Sequence, residues 1–152
     1  MNRAVELIHA EQVASVLTEV LEGMAFTGAC LDDAPAADWH ADSAVWARVE
    51  LVAPAVGDMI VVAEQDDMLN LVDAVWGGVI ETTAAAACAL MEELANAVAG
   101  QVLANLDVQS EVRIGLRESG LGTLPSESME SVQHAFVLDD GAPMRVVVRA
   151  LA

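Results

Sequence analysis

Hydrophobic positions repeat with two different periods along this chain, and the changes of period mark its elements. Over residues 4–25, Val5, Ile8, Val13, Val16, Leu17, Val20, Leu21 and Met24 recur at helical spacing, with Glu6, Glu11, Glu19 and Glu22 between them. One amphipathic helix is expected. Residues 28–43 lose the pattern, and Asp32, Asp33, Pro35 and Asp38 predict a loop. From Ala44 onward Val45, Trp46, Val49, Leu51 and Val52 suit a pleated surface. Pro54-Ala55-Val56-Gly57 interrupts, and 58–63 resumes, which predicts a hairpin.

Asp66 and Asp67 open a short helix to about Trp76, their charges at the favoured N-terminal end. Gly77-Gly78 stop it. Thr82 or Thr83 then caps a long helix to about Leu106. Residues 111–117 alternate, with Val112, Ile114 and Leu116 on one face and Glu111, Arg113 and Arg117 on the other. Residues 119–128 read as a Gly/Ser/Pro loop. Residues 131–138 and 143–151 read as strands joined at Asp139-Asp140-Gly141, a strong turn signal.

Two long helices thus each lead into strands. Laying Glu19 over Glu93 puts Leu21 over Ala95, Glu22 over Asn96 and Met24 over Val98, and both copies run on into a hairpin, 49–63 and 135–150. The order implies an α+β domain with an internal duplication, an antiparallel sheet packed with two long helices. At 152 residues the chain is expected to form one domain.

Charge excludes the most. Six Lys+Arg face 24 Asp+Glu, a formal net charge of −18. All the cations are arginines, so Schiff-base chemistry and a phosphate-loop lysine are excluded. Such a surface repels nucleic acid and anionic membranes. No apolar run approaches the ~20 residues of a membrane helix, and no leader pattern opens the sequence. A soluble, cytoplasmic protein is expected. Cys30 and Cys88 fit neither a CxxC nor a zinc spacing and read as buried or half-buried free thiols.

The long helix carries the candidate chemistry. On a helical wheel Met91, Leu94, Val98 and Val102 fall within ~80° and form the core stripe. Glu93 and Asn96 fall on the far side, three apart and neighbours in space. Around them stand Ala89, Ala97, Gly100 and Ala104, all small. A carboxylate and a carboxamide therefore rise from a nearly bare helix face that another surface can approach. Asn96 and Gly100 are poor helix formers inside a helix of good ones, a local cost that invites a functional explanation.

The segment 91–106, MEELANAVAGQVLANL, resembles the helix of the CheC/CheX/FliY phosphatases of bacterial chemotaxis, whose motif is Glu, two residues, then Asn, followed by a Gly-containing turn. Here that is Glu93-Leu94-Ala95-Asn96, then Gly100. The order of helices and hairpins and the duplication match as well, most nearly the CheX type with one active half, because Glu19 and Glu22 lack the Asn. Two positions depart from the pattern. Ala89 stands where CheC-type motifs carry Asp or Ser, and Pro125 lies further along than the family's proline.

The resemblance implies hydrolysis of the aspartyl phosphate of a CheY-like response regulator. Asn96 would orient the attacking water, and Glu93 would pair with the receiver's lysine. Ala89, Ala97 and Gly100 would let the helix lie close. It implies no cofactor and no metal of the chain's own, Mg²⁺ coming from the receiver, and a homodimer formed through the sheet. The apolar strand 144–150 would need covering if it were an edge. The competing reading is a non-catalytic binding or assembly module on the same fold, in a chemotaxis or flagellar-switch setting.

Other signals reduce to structure. His9, His40 and His134 have no partner at metal-ligand spacing and read as surface or half-buried imidazoles. The doublets Asp32-Asp33, Asp66-Asp67 and Asp139-Asp140 do not fit a calcium loop. Gly120-Leu-Gly122 lacks a phosphate-loop ending, and Ser126 and Ser128 lack a nucleophile elbow. Trp39, Trp46 and Trp76 read as core or rim packing.

Overall fold

A computed structural model describes residues 2–25, 27–32, 43–125 and 130–150. Trp39, His40, Ser126, Ser128 and most of the segment expected as the 28–43 loop lie outside them. The described elements run α1 (Ala4–Leu7), α2 (Ala10–Ala25), β1 (Ala29–Leu31), β2 (Ala44–Ala53), β3 (Gly57–Glu64), α3 (Gln65–Trp76), α4 (Ala84–Leu106), β4 (Arg113–Leu121), β5 (Ser131–Leu138) and β6 (Pro143–Arg149). The class is α+β. The six strands form one antiparallel sheet in the order β1-β5-β6-β3-β2-β4.

That order reads the same from either end when the two halves are exchanged. β6 and β3 meet at the centre, each hairpin extends outward, and the edge strand beyond each hairpin comes from the other half. The duplication is therefore built into the sheet. The helices cover one face. Val45, Ala47, Val49 and Leu51 of β2 and Val146 and Val148 of β6 join Leu17, Leu21, Met68, Leu90, Leu94 and Val98 in one core. Alternate residues point to the second face, where Trp46, Ile60, Val62 and Val147 are buried with Leu124 packed against them. The strands are thus apolar on both sides, and burial of a whole side chain contributes about 1.5–3 kcal/mol.

Local signals explain most boundaries. Thr83 Oγ1 accepts from Ala86 N–H at 3.1 Å and starts α4. Gly77, at φ 55°, closes α3 with its N–H donating to the Asp73 carbonyl. Across the 139–141 turn, Leu138 N–H donates to the Ala142 carbonyl, and Gly141 takes φ 89°.

Several expectations need correction. The 4–25 helix is broken at Ile8-His9, though the apolar period runs through it. Ala4 N–H bonds the Val56 carbonyl and Val56 N–H bonds the Asn2 carbonyl, which ties α1 to the β2–β3 turn. The Gln12 side chain then accepts from His9 N–H at 2.7 Å and starts α2 afresh. The region expected as loop contains β1, which pairs with β5. β4 runs on to Leu121, three residues into the expected 119–128 loop. A register irregularity between Val49/Leu51 turns Leu116 out, leaving it 75% exposed. β6 is interior, so the strand 144–150 is not an edge. Cys30 is exposed and His134 is buried.

Candidate functional site

α4 lies across the sheet over β2, with α2 and α3 on one flank and β4 on the other. Its buried stripe is wider than the four residues read from the wheel, taking in Ala87, Leu90, Ala95, Ala99 and Leu103 beside Met91, Leu94, Val98 and Val102. Alanines fill the margins, so the helix sits close to its neighbours. Glu93 remains exposed and Asn96 half-exposed. Neither makes a hydrogen bond or ion pair among the described residues. Ala89 and Ala97 are exposed beside them, and Gly100 is half-buried. The face required by the sequence pattern exists, with both polar groups outward and unengaged.

One side of this face is bounded by β4. Cys88, Glu92, Asn96 and Gly100 follow one another at intervals of four, a single ridge along the helix, and all four are half-buried. The ridge is anchored to β4 at both ends. Ser119 lies beside the Cys88 thiol, whose pKa burial raises. A Cβ on Gly100 would stand 3.8 Å from Ile114 Cδ1. The small residue at 100 therefore serves the approach of β4 as well as the open face.

Other polar clusters lie elsewhere. On the sheet's second face Asp58 is completely buried. Arg48 Nε donates to it at 2.6 Å, while Arg149 donates through Nε at 2.9 Å and through a terminal nitrogen at 2.7 Å. Arg149 also donates to the Pro125 carbonyl at 2.8 Å, and Arg48 reaches Glu118 at 2.9 Å. The Asp58 carboxylate, above all, holds the Arg48 pKa up. This cluster escaped the sequence reading. Its only signal there was a polar residue interrupting each of three apolar strands, and the pairing spans 91 positions. A cleft of about 550 Å³ opens beyond the C-terminal end of α4, lined by Leu106, Asp107, Ser110, Glu111 and Arg113 among others, and it includes neither Glu93 nor Asn96. Among the described residues no group of three His, Cys, Asp or Glu could hold a metal ion, and no helix is long and apolar enough to cross a membrane.

Solved structures share this architecture almost end to end. CheX from Desulfovibrio desulfuricans superposes at a TM-score of 0.73 with 16% identity, over 93% of this chain and 98% of that one. The chain has the CheX fold. CheX in the CheX–CheY–BeF3–Mg+2 complex from Borrelia burgdorferi matches at 0.67 with 17% identity, over 96% and 99% of the two chains. FliY from Thermotoga maritima matches at 0.64 with 13% identity, over 93% and 87%. No family model and no curated sequence matches the chain. The CheX likeness is therefore one of fold, found at identities where sequence similarity has faded.

Proposed function

We propose that this chain hydrolyses the aspartyl phosphate of a CheY-like response regulator in the cytoplasm, presenting Glu93 and Asn96 to the phosphorylated receiver. The observation that carries this reading is the open face of α4 on a CheX fold, with a free carboxylate and a free carboxamide on it. An acyl phosphate is already activated, so little remains beyond placing water in line with the leaving carboxylate. Asn96 suits that task, because its Oδ1 accepts from the water while its amide nitrogen donates. The water oxygen forms the new bond to phosphorus as the P–O bond to aspartate breaks. The bond's electron pair leaves with the carboxylate, and the water's proton ends on phosphate or in bulk solvent. Glu93 pairs with the receiver's lysine, a charge-assisted contact of about 1.5–3 kcal/mol. The receiver brings its own Mg²⁺.

The experiment follows loss of label from a phosphorylated receiver. The wild-type chain accelerates it, and Asn96→Ala returns it to the receiver's own rate while binding is largely kept. Identical acceleration by both proteins removes Asn96 from the mechanism. One feature favours a second reading, docking without turnover: exposed Ala89 stands one turn before Glu93, where CheC-type motifs carry Asp or Ser. Binding without any loss of label would establish it. Self-association through the sheet would use the edges β1 or β4, since β6 is interior. Light scattering that gives the mass of a single chain would dispose of it.

A further inference from the structure

We propose that Arg117 is a binding residue of this same face, pairing with a carboxylate at the rim of the receiver's phosphorylation pocket and so strengthening the association of α4 with the receiver. The proposal rests on the reading of Glu93 and Asn96 above. It starts from the register of β4. Ile114, Arg117 and Ser119 stand opposite Leu51, Val49 and Ala47 of β2. Those three partners all belong to the core beneath the helices. Directly paired residues share a face of the sheet, so Arg117 is on the helix-covered face. Because β4 is an edge strand, its side chain is exposed there.

The two anchors of the ridge fix its height along α4. From Cys88 to Gly100 the helix advances about 18 Å at 1.5 Å per residue. From Ser119 to Ile114 the strand covers about 16 Å. Arg117 is two residues from the Ser119 anchor, about 7 Å along. That is level with Glu92 and Glu93, about 5 Å short of Asn96. It thus faces the stretch of ridge between the two anchors, the stretch that carries Glu92 and Asn96.

Its charge has no use within the described chain. Arg117 makes no ion pair or hydrogen bond among the described residues, although Glu92 lies on the adjacent ridge. Arg3 is paired with Glu6 and Glu130, and Arg48 and Arg149 with Asp58. Arg113 is at the far end of α4, in the cleft with Asp107 and Glu111. A chain of net charge −18 approaching an anionic phosphoryl site meets repulsion on most of its surface. An unpaired guanidinium beside the inserting helix offsets that locally, and its planar fork suits a carboxylate. The contact forms at a rim and not at the reacting atoms, so it acts on association and not on the chemical step.

The test titrates the chain against CheY carrying BeF3 and Mg²⁺ and, separately, measures turnover of phosphorylated CheY. Arg117→Ala should raise the Kd and KM about tenfold with kcat unchanged. Arg117→Lys should recover most of the loss, and the defect should shrink at high salt. An unchanged melting temperature shows that the variant is folded. Unchanged affinity overturns the proposal, and so does a fall in kcat at constant Kd, which would place Arg117 on the phosphoryl group. If the wild type binds CheY but does not hydrolyse it, the activity fails while the titration still decides Arg117. If the wild type does not bind CheY at all, both fall.

Discussion

α2 and α4 occupy matching places in the two halves, yet their surfaces differ in what a partner would meet. With Glu19 laid over Glu93, the ridge of α4 that faces β4 corresponds to Ala14, Thr18 and Glu22 of α2. α2 in turn lies beside the edge strand β1 as α4 lies beside β4. On α2 that ridge is tied down, since Thr18 Oγ1 donates to the Ala29 carbonyl of β1 at 2.6 Å. Asn96 has Glu22 as its counterpart. α2 ends at Ala25, six residues beyond Glu19, whereas α4 runs thirteen beyond Glu93. β1 is a three-residue strand without a cation, and β4 is a nine-residue strand bearing Arg117. The duplicated scaffold thus has the same architecture in both halves and the carboxylate–carboxamide pair in one, Glu19 and Glu22 standing at the matching exposed positions of the other. The fold constrains the buried stripe, and the outward face is free to diverge.

The largest expected effect tests whether that divergence is a single side chain. Asn96→Ala should lower accelerated label loss about 100-fold or more, because water no longer placed in line forfeits that much. Adding Glu22→Asn to that variant should leave the rate where it is, since α2 also lacks the extended helix and the neighbouring cation. Recovery of activity by the double variant would make the two halves equivalent but for one residue.

The halves are joined in a seam at the centre of the sheet. Asp58 of β3 and Arg149 of β6 stand opposite one another in register. Asp58→Ala leaves two guanidiniums, Arg48 and Arg149, without their buried partner. It should cost about 3–5 kcal/mol in urea unfolding. Label loss per folded molecule should be unaffected, because the seam is on the face away from α4. A cost below about 1 kcal/mol would mean that the carboxylate is not holding the halves together.

Those two regions also divide what was legible in the sequence. The outward placement of residues 93 and 96 could be read because one helix carries both, and helical period alone decides that they share a face while 91, 94 and 98 turn inward. The β2–β3 and β5–β6 hairpins could be read because strand period and turn residues are local. β1 was not legible, since three residues hold no alternation. The break at Ile8-His9 was not, because tertiary hydrogen bonds impose it on an unbroken apolar period. Leu116 turned outward through an irregularity of pairing that no strand shows by itself. Arg117 and the Asp58 cluster depend on which strands pair, information spread over separations of about 10 to 90 residues.

Contact between the halves gives a smaller, pH-dependent effect. His134 of β5 is buried on the helix side beneath the first half, and its Nε2 has no hydrogen-bond partner among the described residues. Burial, and secondarily the nearby His9, lower its pKa from 6.5. The folded chain therefore binds a proton there less readily than the unfolded chain. Its contribution to stability is fully present above pH 6.5 and is lost as pH falls through the folded pKa. His134→Gln should lose less stability than wild type between pH 7 and 5, as read from paired urea titrations. Parallel losses in the two proteins would show that the imidazole is not being kept neutral.

The smallest effect is at α3, which joins the halves. Asp67, in its first turn, gains from the helix dipole. Burial opposes that gain, and the charges of Asp140, Glu64 and Asp66 add to the opposition, so its pKa is raised. The raised value means that opposition wins. The charged form is disfavoured in the folded chain, and stability at this residue increases as pH falls. Asp67→Asn should therefore stabilise the protein at neutral pH, by less than about 1 kcal/mol because the group is partly exposed. The gain should vanish in acid, where Asp67 is already neutral. A loss of stability at neutral pH would mean that the helix dipole dominates, and that the linker is held to the second half by its charge and not in spite of it.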